Sequence, residues 1–281
     1  MKIGYFGFNN GPVGNRADMR RILTTLDDSG FESAWTGEHV VLIDPQEAPS
    51  PVPPEFPMLD TVSALAFAAG VTENLMLGSG IILLAQRNPV VLAKELTGID
   101  VLSDGRLIFG VGVGYVKHEF DTLGVPYEER GARTTEHIET IRALWTQDKP
   151  KFNGRFTTID GVQQKPMPVQ TPHPPIVVGG MSAAGHRRAL AHANGWYGFA
   201  LSLEDTEQAL QNIAHESNRV ERPAALGELE ISVTPRGAVS TDEAKRFADL
   251  GVDRLILMPG AGDVDGILRF IDESDRNLTS L

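Results

Sequence analysis

The 281-residue chain contains no cysteine. That removes disulfide frameworks, thiolate metal sites and thiol catalysis together. Basic residues are few: 25 Lys and Arg stand against 37 Asp and Glu, a formal net charge of -12. No basic footprint for nucleic acid and no basic segment for an anionic membrane surface follows from such a balance. Long hydrophobic runs are missing too. No stretch approaches a membrane span, and the opening "MKIGYFGFNNG" lacks the apolar core of a signal peptide. The expectation is a cytoplasmic protein with no nucleic-acid and no membrane partner. The sequence also lacks a G-x-S-x-G elbow and a phosphate-binding P-loop, so hydrolase and nucleotide triphosphatase readings have little support. His118, His137, His186, His192 and His215 lie in or beside helical patterns, without carboxylates at metal-ligand spacing. No metal is expected.

What is present is an alternation that runs from end to end. Short apolar runs such as "KIGYFGF", "FESAWTG", "LMLGSGIIL", "GRLIFGVGVG", "PIVVGG" and "WYGFALS" are strands. Between them lie amphipathic stretches such as "NRADMRRILTTLDDSG", where Met19, Ile22, Leu23 and Leu26 share one helical face. About eight strand–helix units point to a single α/β domain over residues 1–281, first of all a (β/α)8 TIM barrel. A doubly wound open sheet is the rival. The last strand, "DRLILMPG", opens on polar residues, whereas a central parallel strand is often apolar throughout. One interruption, roughly residues 149–175, carries "FNGRF", an Asn-Gly turn between short β-like runs, and so a hairpin. The stiff excursion "PSPVPPEFP", Pro49 to Pro57, is a candidate active-site loop.

Candidate chemistry gathers at the strand ends. Glu38 and His39 close the second strand, in "WTGEHVVL". They are either a proton-handling pair, each orienting the other, or an ordinary solvated strand end. The glycines of "GSGII" signal either close approach of a ligand or a barrel bend. "FGVGVGY" is not a dinucleotide fingerprint, because Tyr115 stands where a third glycine is required. Val113 and Gly114 could instead let a flat ring lie on the strand end, with Tyr115 beside it or simply packed at the rim. Gly179 and Gly180 precede a helix that starts near Ser182, which suits a phosphate and equally suits plain capping. Lys94 and Asp100 read as structural. Arg130, Arg133 and Glu136 read as surface or interhelix pairs.

Several of these stretches occur together, and in this order, in one known family. "GFESAWTGEHVVL", "LMLGSGIILLAQRNPVVLAKELTGIDVLSDGRLIFGVGVGY", "EFDTLGVPYEERGARTTEHIETIRALW", "FNGRFTTIDGVQQKP", "PPIVVGGMSAAGHRRALAHANGW" and "GVDRLILMPG" make the chain resemble the bacterial luciferase-like family. Within it, the deazaflavin-dependent oxidoreductase branch is most similar. The resemblance implies a barrel with an insertion near the hairpin, holding coenzyme F-420, a deazaflavin, or alternatively FMN at its C-terminal face. It implies a non-proline cis peptide at Gly80-Ile81 backing the ring, with Val113 and Gly114 completing the platform. It places the cofactor phosphate at Gly179 and Gly180, with backbone near Ala200, and the acid–histidine pair, Glu38 and His39, beside the ring. Tyr115 occupies the place of a catalytic Glu in some family dehydrogenases, which argues against a sugar-phosphate substrate. The implied activity is hydride transfer to or from a small organic substrate. The alternatives are a reduced-FMN monooxygenase fed by a separate reductase, and a non-catalytic cofactor carrier. The resemblance further implies a homodimer formed through the helices "VSALAFAAGV" and "VVLAKELTGI".

Overall fold

The computed structural model describes residues 1–13, 15–260 and 262–279. Strand Lys2–Phe6 (β1) leads into helix Arg16–Asp27 (α1), strand Ser33–Thr36 (β2), helix Thr61–Ala69 (α2), strand Met76–Ser79 (β3) and the two-residue strand Ile82–Leu83 (β4). Helix Pro89–Leu102 (α3), strand Leu107–Gly112 (β5), and helices Lys117–Leu123 (α4) and Arg130–Thr146 (α5) follow. After the hairpin Phe152–Asn153 (β6) and Thr158–Ile159 (β7) come Ile176–Gly179 (β8), Ala183–His192 (α6), Gly195–Leu201 (β9) and Leu203–Ser217 (α7). Glu230–Pro235 (β10), Thr241–Asp249 (α8), Arg254–Leu257 (β11) and Val264–Leu278 (α9) complete the chain.

Short polar side chains start most of these helices by accepting the amides that a helix leaves unpaired. Asn15 accepts from Ala17 and Asp18, and Asn88 serves α3 with Pro89 already set at the first turn. Ser202 with Asp205 and Ser240 with Glu243 form reciprocal capping boxes on α7 and α8.

All strand pairings in the large sheet are parallel. They run β3-β2-β1-β11-β10-β9-β8-β5, and β3 also pairs with β5. Lys2 pairs with Arg254 and Leu77 with Leu107. These two pairings close the sheet on itself, so the architecture is a closed eight-stranded (β/α)8 barrel and not an open sheet. Strand β4 continues along β5, with Ile82 opposite Val111 and Leu83 opposite Gly112. It is the third barrel strand resumed after a break at the Gly80–Ile81 peptide, which is cis.

Apolar residues fill two layers. The larger lies between strands and helices; the smaller fills the barrel lumen with Phe6, Trp35, Ile108, Val177, Tyr197 and Ile256. Gly78 belongs to this packing, since a Cβ there would stand 2.3 Å from the Trp35 indole. The polar start of the last strand is explained at the lumen floor. Arg254 is 2% exposed and donates to Glu32 at 2.8 and 2.9 Å, to Ser232 at 3.1 Å and to Glu230. Its guanidinium lies 5.6 Å from the Trp35 ring. A buried cation on an inward-facing strand residue is tolerated because carboxylates surround it.

The hairpin forms as the Asn-Gly turn predicts: Phe152 pairs antiparallel with Ile159, and Gly154 N–H donates to Thr157 O at 2.9 Å. Glu136 does more than pair on a surface. Its carboxylate accepts the amides of Arg155, Phe156 and Thr157, each at 2.7 Å, and so ties the turn to α5. Arg133 pairs with Glu129 at 2.9 Å, and Arg130 stacks on Tyr127 at 3.7 Å. Replacing Glu136 by Ala removes the acceptor of three amides. Hydrogen exchange at residues 155–157 is expected to speed up by at least roughly tenfold while the barrel strands stay protected. Unchanged exchange there would show that the turn holds without the carboxylate. Asp100 is likewise structural: buried on α3, it accepts Val169 N at 2.7 Å and Gln170 Nε2 at 2.7 Å. Among the described residues no helix is long and apolar enough to cross a membrane.

Candidate active site at the C-terminal mouth of the barrel

Barrel strands of this kind present their C-terminal ends to one face, and the loops leaving them carry the chemistry. Glu38 and His39 leave β2 at that face, but they do not form a couple. In extended chain, successive side chains point to opposite sides. Glu38 turns inward, its side chain only 4% exposed, and forms an ion pair with Arg87. It also accepts the Leu83 amide at 2.5 Å. Arg87 further donates to Asp60 at 3.0 Å. Burial raises the Glu38 carboxyl above its ordinary range, although Arg87 and the Leu83 amide pull it down; Arg87 itself stays charged, held by both carboxylates. Glu38 therefore fastens the chain that follows the cis peptide, and it does not orient His39.

The partner of His39 comes from elsewhere. His39 Nδ1 lies 3.1 Å from Glu119 Oε2, with the histidine side chain 10% and the glutamate 1% exposed. The other Glu119 oxygen accepts Val40 N–H at 2.9 Å. Among the described residues Nε2 of His39 makes no protein hydrogen bond. Glu119 sits in the first turn of α4 beside the buried Phe120. Sequence reasoning missed it because α4 is short and starts without a side-chain cap. The available signal was an acidic residue next to a core aromatic just after the fourth-strand glycines. Tyr115 stands edge-on to the His39 ring, centroids 5.8 Å apart. Partial burial and then the nearby Glu119 raise its phenol above the ordinary value, so it stays protonated at neutral pH and can donate.

The floor of the mouth is Ile81. A Cβ on Gly112 would stand 2.0 Å from Ile81 Cδ1, and one on Gly179 would stand 2.9 Å away, so both glycines exist to admit this side chain. Gly114 plays a different part from the one expected. Its φ is +78°, and a Cβ there would meet the Phe120 ring at 2.7 Å. Phe120 of α4 fills the side of Gly114 where a Cβ would stand; Val113 beside it is half-buried. The apolar surface next to Ile81 comes instead from Phe6 and Phe199, whose rings lie 5.0 Å apart, with Phe199 47% exposed. Phe199 gave no sequence signal, because which way a strand-end residue points depends on register.

Gly180 is exposed, with φ +125° and nothing within 4 Å of a Cβ position. Its carbonyl accepts Trp196 Nε1 at 2.9 Å. Ser182 caps α6 by accepting Gly185 N–H at 3.1 Å. Ala200, at the end of the neighbouring strand, has φ +56°. Arg236 donates to its carbonyl at 3.1 Å and pairs with Asp205 at 2.8 Å, adding an exposed cation to this corner. The arrangement suits an anionic tail: open backbone at a helix N-terminus, with positive charge nearby.

Among the described residues, two buried polar atoms at the same face lack protein partners: Asn10 Oδ1 and Thr36 Oγ1. Orphaned hydrogen-bonding atoms beside an apolar floor fit a planar heterocycle with a polar edge. Two concavities open at this face. One, of about 430 Å³, is lined by His39, Met58, Leu59, Asp60, Gln86 and Arg87 among others. The other, of about 350 Å³, lies under residues 41–45 and His118. Neither lining includes Ile81, Gly179 or Phe199.

The sequence matches the family model described as luciferase-like monooxygenase over residues 1–264. An uncharacterized protein of Mycobacterium tuberculosis is 28% identical over 241 residues, covering 82% of this chain and 83% of that protein. The FMNH(2)-dependent dimethylsulfone monooxygenase of Pseudomonas putida is 36% identical over 140 residues, 49% of this chain and 38% of that one. An F420-dependent secondary alcohol dehydrogenase, solved with an F420-acetone adduct, superposes with a TM-score of 0.76 at 17% identity, covering 96% of this chain and 97% of the other. The last of these speaks for the fold alone.

Proposed function

Since the chain belongs to the luciferase-like monooxygenase family, we propose that it is an oxidoreductase using reduced coenzyme F-420 for hydride transfer to a small organic carbonyl compound, or the reverse. The observation that carries this reading is the His39–Glu119 pair at 3.1 Å, with the second imidazole nitrogen unengaged among the described residues, next to the apolar floor at Ile81. Ile81 and Phe199 would hold the ring of the deazaflavin, and backbone at Gly179, Gly180 and Ala200 would hold its phosphate. Bound there, the reduced cofactor supplies a hydride. His39 Nε2 would give a proton to the substrate oxygen, or take one from it, and Glu119 would hold the imidazole that moves the proton. Tyr115 donates a hydrogen bond at the edge. The segment that ends in Pro57 is anchored over β1 by Gly11 N–H to Pro57 O at 2.9 Å and Leu59 N–H to Asn9 O at 3.0 Å. It would cover the site and exclude water. The proposal includes a homodimer through α2 and α3, where Val91 and Leu102 are exposed.

The Pseudomonas putida relative supports a second reading, a reduced-FMN monooxygenase. Anaerobic spectral titration with F-420 and FMN, followed by oxygen-uptake measurement, separates the two. We expect the deazaflavin to bind more tightly, with no oxygen consumed per turnover. Gly180→Asp, which sets a carboxylate against the phosphate, is expected to weaken binding by roughly tenfold or more. Preferential FMN binding with one oxygen consumed per reduced cofactor would establish the monooxygenase. Tight binding without turnover of any carbonyl or enone would establish a carrier.

A further inference from the structure

We propose that the cavity of about 430 Å³ beside His39 takes an uncharged substrate, whose carboxamide or lactam group pairs with the side-chain amide of Gln86. The proposal rests on the reading of this site as an oxidoreductase of small organic molecules, and it narrows the substrate class.

Charge disfavours the first alternative. Arg87 lines the cavity, but Glu38 and Asp60 both take its Nη2, and among the described residues its buried Nε has no partner. One cation faces two carboxylates, and Glu119 stands behind His39. A carboxylate or phosphate entering here would be desolvated where negative charge outnumbers positive. Apolar surface is offered instead: Met58, Leu59 and Leu123 line the cavity, and Leu59 and Leu123 are 41% and 39% exposed.

Gln86 then selects the polar group. Nε2 and Oε1 are both shielded from water, and among the described residues both are without a protein partner. Each orphaned group costs about 1–3 kcal/mol if nothing satisfies it. The side chain lines the cavity, and a rotation about its terminal bonds would bring the amide into that space when the substrate binds. A lactam answers both atoms at once, its carbonyl accepting from Nε2 and its N–H donating to Oε1. A carboxylate offers acceptors only and leaves Oε1 facing another acceptor. A ketone leaves Oε1 unmet.

The test uses the full chain and three probes of similar size: ε-caprolactam, cyclohexanone and hexanoate, titrated by calorimetry or ligand-observed NMR. Caprolactam is expected to bind at least about tenfold more tightly than hexanoate, and measurably more tightly than cyclohexanone. Gln86→Met preserves length and removes both hydrogen-bonding atoms. It should erase the preference for caprolactam over cyclohexanone, and melting temperatures recorded alongside establish that it folds. Gln86→Glu keeps acceptors and loses the donor, and should also weaken caprolactam. Hexanoate binding as tightly as caprolactam, caprolactam affinity unchanged in Gln86→Met, or no binding of any probe would each overturn the proposal. Deazaflavin titration of the same samples keeps the two readings apart. Lactam selectivity without cofactor binding would support the pocket and remove the redox function.

Discussion

Replacing His39 by Ala is expected to lower turnover by roughly 10²–10⁴-fold, the range that a positioned proton donor contributes. Cofactor affinity should change no more than a few-fold, because the apolar floor and the Gly179–Gly180 corner remain. The imidazole is held on one side by Glu119 at 3.1 Å, and among the described residues its other nitrogen has no protein partner. Such a group is poised to exchange a proton with whatever lies at the mouth. Glu119→Gln refines the experiment. It keeps a hydrogen-bonding side chain of the same length and removes the carboxylate beside the imidazole. Its loss should be smaller than that of His39→Ala. Steady-state rates on a carbonyl or enone panel with reduced deazaflavin would decide the matter. Turnover within a few-fold of the parent in His39→Ala would rule out the assigned role.

Glu38→Ala should act through stability. It leaves the Arg87 guanidinium with one carboxylate instead of two, and it orphans the Leu83 amide. Removing one partner of a buried ion pair typically costs about 3–5 kcal/mol, more than the intact pair contributes, because the remaining charge stays desolvated. Arg87 keeps Asp60 and some solvent contact, so the lower part of that range is expected. Denaturant unfolding measures it directly. Where the variant remains folded, its turnover should fall less than that of His39→Ala, since Glu38 positions β4 and the Ile81 floor and does not handle the substrate proton. A variant of normal stability with abolished turnover would return Glu38 to the chemistry.

The contrast between these two neighbours shows what was legible in the sequence. Alternating apolar runs and amphipathic stretches predict the barrel, because each strand must be buried on both faces and each helix on one. The Asn-Gly signal predicts the hairpin, and the resemblance places the cis peptide at Gly80–Ile81. Three features needed coordinates. Adjacency of Glu38 and His39 suggests a couple, whereas extended backbone sends them to opposite partners 45 and 80 residues away, Leu83 and Glu119. Gly114 reads as space for a ring, but Phe120 fills the side where a Cβ would stand. Arg254 reads as a sheet edge, and only closure of the barrel shows that its charge is met by Glu32 and Glu230. Each omission concerns a contact distant along the chain, to which local periodicity is blind.

The pairing of β1 with β11 has a consequence for how the molecule is made. One margin of β1 pairs with β2 close by in the chain, but its other margin, residues 2–5, finds its partners only at residues 254–257. A growing chain emerging from the ribosome can therefore build its first seven strands and their covering helices while both margins of the sheet stay unpaired. Ring closure waits for the final strand, the slow long-range step that topology imposes on folding rate. Until then the exposed margins invite association with other nascent chains, which makes the interval before release the time when this protein most needs chaperone protection.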